Sequence, residues 1–396
     1  MDKDFKPILR YIDAIPSSYQ GKPVLLLRDP VGFCEEIVIL PQHMGILLLL
    51  LDGKHTLEDL QKEISKRFKK EIPLEEIKKV IEFLDDKGLL WSKKFEEIKN
   101  KAYEKWLSLR VRPMAHANQA YPLSPAEAKF FVEDILKLAK EDTSSNPPKI
   151  LIAPHIDLRL GARGFAESYS RFKIPTGARI IILGVGHHLD YPFSVLTKDI
   201  ATPFGIVRND KGGFFYLANS KKIQLFPDHM AHKLEHSIEF QLLFLHYLLK
   251  DEFVVLPILM GPLITLIQNE KLVKDLAIAL SELIDDQTYI VLGIDFCHLG
   301  LRYGDPFSAS FEHGQKAIEL DKKLIELSFN GNSKELLELI KENEKMKICG
   351  NSCLYLLSLI LENIKLKGNC EIYYQDVIPF GQGSVVSIAS AGYVVQ

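Results

Sequence analysis

Three histidine-bearing segments of this 396-residue chain each follow a short apolar run. Residues 149–153 lead into Pro154-His155, and residues 179–183 into Gly184-Val185-Gly186-His187-His188. Residues 289–294 lead into Asp295-Phe296-Cys297-His298. Imidazole changes charge near neutral pH and is the commonest protein metal ligand. A fourth segment, Cys349-Gly350-Asn351-Ser352-Cys353, precedes an apolar run at 354–361. A thiol at a helix N-terminus has a lowered pKa, which favours the thiolate and metal ligation. Two histidines and one thiolate make a three-ligand site with an open position, suited to Fe(II), Cu or Zn, and spacing does not choose among them.

The individual residues carry different weight. His155 follows a proline, so the strand before it must end there, and it reads equally as a turn cap or a functional group. His187 and His188 point opposite ways on an extended chain, so at most one faces a shared crevice. Gly184 and Gly186 allow close backbone approach or positive φ, and their spacing fits neither a P-loop nor a dinucleotide fingerprint. If a helical turn begins after the third run, Asp295 and His298 share a face. An Asp that fixes the tautomer of His298 would make it a usable acid or base. His236 and Glu239 open a helix at the same spacing. Glu239 reads as structural, and His236 as either a helix-start hydrogen bond or outer support for the site. Cys297 and Cys353 read as core.

The elements that must position these groups are short Ile- and Val-rich runs, bounded by Gly or Pro, which read as buried strands of a parallel sheet. In open α/β sheets ligands bind beyond the carboxyl ends of the strands, so groups far apart in sequence can meet there. Residues 110–396 alternate strands and helices, which implies a layered α/β domain with a central, mainly parallel sheet. Its first helix is expected to end at a turn over 143–148. Residues 1–95 form a separate α+β module, joined to it by a helical linker at 96–109. In the module, 36–40 reads as a strand and 41–51 as a short apolar helix. Thr56 and Asp59 fit a capping box, opening a helix with Leu57, Leu60, Ile64 and Phe68 on one face. A second helix starts near Pro73, carries Leu74, Ile77, Ile81 and Leu84 inward, and stops at Gly88. Leu89-Leu90-Trp91 follows as an edge strand or wing, giving a winged-helix-like unit.

Composition bounds the partners. Net charge is −3 and 47% of residues are hydrophobic, ordinary for a globular chain without a global basic field. From Lys54 to Lys105 there are 14 Lys/Arg against 12 Asp/Glu, so the module lacks the basic stripe that nucleic acid requires. The N-terminus has no signal-peptide core, and the longest apolar run, 46–51, is too short to span a bilayer. Five cysteines form no regular disulfide framework, which points to a reducing cytoplasm.

Taken together, the segments resemble the Memo family, and within it the prokaryotic members called AmmeMemoRadiSam system protein B, which stand beside a radical-SAM protein. The matching pieces are Arg112-Pro113 with His116-Ala117 and Tyr121-Pro122, Ala153-Pro154-His155, Ile182-Leu183-Gly184 with His187-His188, and Thr202-Pro203-Phe204-Gly205. They continue with Glu235-His236-Ser237-Ile238-Glu239, Pro257 to Gly261, Asp295-Phe296-Cys297-His298, Ile348-Cys349-Gly350, and Ser384 to Gly392. The resemblance implies a fold similar to class III extradiol dioxygenases, which hold non-haem iron with two histidines and a carboxylate. It also implies His155, His187 and Cys349 as metal ligands, with Asp295 and His298 lining the same pocket and His298 in the acid/base position. Iron is the first expectation for the ion, with copper or zinc as alternatives. The thiolate stands where those dioxygenases place a carboxylate, so ring cleavage does not follow from the resemblance, and a catechol-like substrate is only what the fold would imply. Asp157 departs from the usual pattern and adds a carboxylate that could supplement the metal shell. The N-terminal module is similar to PqqD-like peptide-binding domains through Asp52-Gly53-Lys54-His55-Thr56.

Three readings follow. The first is a metal-dependent redox enzyme acting on an unidentified small molecule, with His298, oriented by Asp295, shuttling a proton. The second is a non-catalytic partner protein that docks a peptide or a radical-SAM protein through residues 1–95. The third, a hydrolase, would use Cys349 and His298.

Overall fold

The computed structural model describes residues 4–140, 147–220, 223–364 and 366–395. The chain forms two compact units, Met1–Leu109 and Arg110–Gln396. The turn expected at 143–148 lies mostly outside the described residues.

The first unit opens with a β-hairpin that hydropathy did not reveal. Asp13–Tyr19 pairs antiparallel with Lys22–Arg28, and a third strand, Val38–Pro41, pairs with the other side of Lys22–Arg28. Asp13–Tyr19 is exposed along nearly its whole length, so it shows no apolar alternation to read. Helix Leu57–Phe68 begins at the expected capping box. Thr56 Oγ1 accepts from the Asp59 backbone at 3.2 Å, and the Asp59 carboxylate accepts from the Thr56 backbone at 3.0 Å. Leu57, Leu60 and Ile64 are buried there, as are Ile77, Ile81 and Leu84 on helix Leu74–Asp86. Phe68 is instead 39% exposed. The expected wing does not extend, since Leu90 makes only an isolated bridge to Leu9. The sheet comes from the strands ahead of the helices.

In the second unit the sheet has eleven strands among the described residues. Its centre is parallel. Thr288–Gly293 lies between Ile150–Ala153 and Ala178–Val185, and Phe253–Met260 pairs with the far side of Ala178–Val185. Alternate residues Ile150, Ile152, Ile181, Leu183, Ile290 and Leu292 share one core with helices Glu270–Leu283, Phe311–Phe329 and Asn351–Asn363. Leu151, Ile180, Ile182 and Val291 on the opposite face are just as buried. Both faces are therefore covered, which explains the continuous apolar runs. Ser384–Val395 pairs antiparallel with Ile150–Ala153 and with the short strand His298–Gly300. No helix among the described residues is long and apolar enough to cross a membrane.

The register brings Ala153, Gly293 and Gly184 side by side. The segments that follow them, carrying His155, Asp295 and His187, thus leave the sheet from adjacent carboxyl ends. That is the crevice the topology predicts.

Candidate metal centre

At those strand ends, ligand atoms of His155, His187 and Cys349 all lie within 4.8 Å of one another. Cys349 Sγ is 3.4 Å from His155 Nε2 and 3.6 Å from His187 Nε2. The other nitrogen of each ring is tied down. His155 Nδ1 lies 2.8 Å from the Gly293 carbonyl oxygen. His187 Nδ1 lies 3.1 Å from both Glu235 oxygens. A carbonyl only accepts, so His155 Nδ1 carries hydrogen and Nε2 presents its lone pair toward the sulfur. His155 is buried, while His187 and Cys349 are partly open to solvent, leaving an approach on one side.

Backbone bonds hold the thiol in place. Cys349 N–H donates to Phe296 O at 2.9 Å, and Gly350 N–H to Asp295 O at 2.9 Å. A Cβ on Gly350 would meet Ile294 Cβ at 2.7 Å, so glycine lets this loop reach the strand end. Gly184 acts likewise for the Glu235 segment, since a Cβ there would meet Ile238 at 2.6 Å and Ser237 Oγ at 2.7 Å. Its role is close approach rather than positive φ.

Burial opposes charge on Cys349, yet His155 and His187 outweigh it and bring the thiol down to about 7. Burial also opposes charge on His187, but Glu235 and Cys349 raise it well above an ordinary imidazole. Burial lowers His155. Because a ligating thiol must be deprotonated, the depressed value places the change in thiolate population near neutral pH. Alkylation of the metal-free protein by iodoacetamide should therefore speed up as pH rises through about 7. His187→Ala should move that midpoint upward. The other four thiols, Cys34, Cys297, Cys353 and Cys370, are all raised and should react slowly.

Glu235 is a residue of this candidate site to which the sequence reading gave no role. Buried, it accepts from both ring and backbone of His187, and from the backbone N–H groups of His236 and Ser237 at 2.9 and 3.0 Å. Its only sequence signals were its place in the family-like piece 235–239 and its position beside His236, because the irregular stretch before helix Glu239–Leu249 has no periodicity. A carboxylate that orients a ligating histidine typically matters 10–100-fold in metal affinity. Glu235→Ala should weaken zinc binding by about that factor, read by competition with a chelator.

Other expected residues fall differently. His298 is not on a helical turn: residues 294–297 are irregular and His298–Gly300 is a strand. Its Nδ1–H donates to Phe296 O at 2.9 Å instead of to Asp295. Asp295 instead accepts the backbone N–H of His155 at 2.9 Å and of Ile156 at 3.3 Å. It thus positions the His155 segment, and it still pulls the His298 pKa upward against burial, which keeps that ring below its ordinary value. Asp157 caps its own turn, its Oδ1 accepting from Arg159 and Leu160 at 2.9 and 3.1 Å, and is not among the grouped donors. His236 does join the site, its ring 5.0 Å from that of His187 and 5.1 Å from that of His155. Glu239 is the structural hub expected, binding Arg112 Nη1 at 2.6 Å, Tyr121 Oη at 2.6 Å and the His116 backbone at 2.9 Å. Cys297 and Cys353 are fully buried.

The donor set of two imidazole nitrogens and one sulfur, with the outer nitrogens anchored, fits a borderline or soft divalent ion with an open position. Comparison with known proteins agrees in family. The model of the family described as Memo-like protein matches residues 112–392. A MEMO1 family protein of Aquifex aeolicus is 32% identical over 91% of this chain and 92% of its own length. One from Thermus thermophilus is 29% identical over 64% of this chain and 74% of its own, and one from Saccharomyces cerevisiae is 27% identical over 49% and 61%. The Aquifex match leaves under a tenth of the chain outside it, so it extends well into Met1–Leu109. The chain belongs to the Memo family.

Proposed function

We propose that this protein is a metal-dependent redox enzyme acting on a small molecule, with a divalent ion held by His155, His187 and Cys349. The observation that carries the reading is the convergence of two Nε2 atoms and one Sγ at adjacent strand ends, with both outer nitrogens anchored. Iron is the first expectation, and copper or zinc suits the same donors. When bound, such an ion supplies Lewis acidity and, for iron or copper, a change of oxidation state. The chain's own residues do the rest. Gly293 and Glu235 orient the two ligating rings, and Asp295 fixes the His155 backbone. His298, held at Nδ1 by Phe296 and packed edge-on against Tyr303 at 4.9 Å, offers Nε2 to take or give a proton. A positioned acid or base contributes about 10²–10⁴-fold.

The test is anaerobic loading with ferrous iron, followed by oxygen consumption with a panel of small aromatic and aliphatic substrates. Wild type should turn over, His298→Ala should keep iron but lose at least about a hundredfold in rate, and His155→Ala should lose iron. Absence of turnover, together with full metal retention in His155→Ala, removes the reading.

A second reading rests on the first unit. Asp13–Tyr19 is an exposed edge strand, and such an edge can accept a peptide as an added strand. This supports a PqqD-like docking role toward a peptide or a radical-SAM partner in the cytoplasm. Pull-down of a neighbouring radical-SAM protein with and without residues 1–95 tests it. Equal capture and equal activity would leave the unit purely structural.

A further inference from the structure

His236 stands at the edge of the donor set without belonging to it. Its ring is nearly parallel to that of His187, at 16°, and perpendicular to that of His155, at 87°. His116 and Phe240 close around it at 5.8 and 5.3 Å. His236 Nδ1 lies 3.2 Å from Glu235 Oε1, the oxygen that also faces His187 Nδ1. That oxygen already accepts two backbone N–H groups, so a ring nitrogen facing it donates. Nδ1 of each ring is thus turned toward the carboxylate, and in a neutral ring that donates there Nε2 is a lone pair. For His187 that lone pair faces Cys349. His236 Nε2 has no hydrogen-bond partner among the described residues, and the side chain is 32% exposed. It is grouped with His187 and Glu235 rather than with His155 and Cys349, and its ring lies 5.0 Å from that of His187 and 5.1 Å from that of His155.

We propose that His236 is a ligand-contacting residue: its Nε2 accepts a hydrogen bond from an O–H or N–H carried next to the atom that fills the open position. The pocket is thereby selective for small ligands bearing a proton beside their metal-binding atom. This deepens the metal-site reading and rests on it. Glu235 has two tasks in this arrangement, aiming His187 at the ion and His236 at what the ion holds. One carboxylate thus fixes the tautomer of both.

The experiment uses full-length protein loaded with cobalt(II), whose visible bands report ligands at the open position. The probes are acetohydroxamate, with an N–H beside its binding oxygens, and N-methylacetohydroxamate, which lacks that proton. Wild type should prefer the N–H probe by about tenfold, the value of one good hydrogen bond. His236→Phe should hold cobalt equally well and lose that preference, and His236→Gln, which can still offer an oxygen, should recover part of it. Using the ratio of probes cancels their intrinsic difference. An unchanged ratio in His236→Phe overturns the proposal while leaving the metal site standing. So does cobalt loss in both variants, which would make His236 a support for the ligands alone. Failure of wild type to take up cobalt, or to bind either probe, overturns the proposal too, and the former removes the metal reading with it.

Discussion

Cys349→Ser and His155→Ala are each expected to lower affinity for zinc or ferrous iron by at least about a hundredfold, measured by chelator competition. The figure follows from the size of the set. A zinc site of four protein ligands is worth roughly 10–16 kcal/mol, so removing one of three donors costs several kcal/mol, and about 2.7 kcal/mol is already a hundredfold. Serine keeps the shape of cysteine but offers a hydroxyl that does not ionise near neutral pH, so Cys349→Ser tests the thiolate with little change in packing. His155→Ala also frees the Gly293 carbonyl and is the more disruptive of the two. His188→Ala and Asp157→Asn are the controls. Neither residue is among the grouped donors, and Asp157 bonds only within its own turn, so both should bind metal as wild type does. Retained affinity in Cys349→Ser would mean that the sulfur is not a ligand.

Glu239→Ala is expected to destabilise the second unit by about 3–5 kcal/mol, the usual cost of breaking a buried ion pair from one side. Arg112 and Glu239 are both nearly inaccessible, at 4% and 2% side-chain exposure. Without the carboxylate, the guanidinium loses its countercharge, and the Tyr121 hydroxyl and the Ala115 and His116 backbone N–H groups lose their acceptor. Tyr121→Phe removes one of these bonds and should cost only about 1 kcal/mol. Arg112 also bonds the His232 and Glu235 carbonyls at 2.6 and 2.7 Å, so the pair braces the segment that carries Glu235 and His236. Urea unfolding followed in Arg110–Gln396 alone, or with the two transitions resolved, measures the effect. A loss below about 1 kcal/mol would show that the pair is dispensable.

The parts of the site that lie just beyond strands were legible in the sequence. The segments of His155, His187 and Asp295 follow apolar runs whose end the Gly and Pro residues mark, and a parallel sheet brings such ends together; the choice of His187 over His188 came from the family resemblance. Cys349 was legible because a helix begins immediately after it. What escaped was held by irregular backbone. Glu235 sits between a 3₁₀ turn and a helix, where neither a period of 2 nor of 3.6 exists to place it. The pairing of Asp295 with His298 failed for a related reason. Spacing of i, i+3 implies shared orientation only on a helix, and the chain there stays extended enough for the Phe296 carbonyl to take the ring instead. In the first unit, the capping box at Thr56 and the buried faces of two helices were readable from side-chain chemistry. The hairpin at 13–28 was not, because its first strand is exposed on both faces.

X-ray absorption at the metal edge of protein purified without affinity metals probes the ligand shell itself. One sulfur near 2.3 Å and two imidazole nitrogens near 2.0–2.1 Å are expected, typical of such ligands on zinc, with the sulfur scattering lost in Cys349→Ser. A shell of nitrogen and oxygen alone, unchanged by that substitution, would contradict that ligand set.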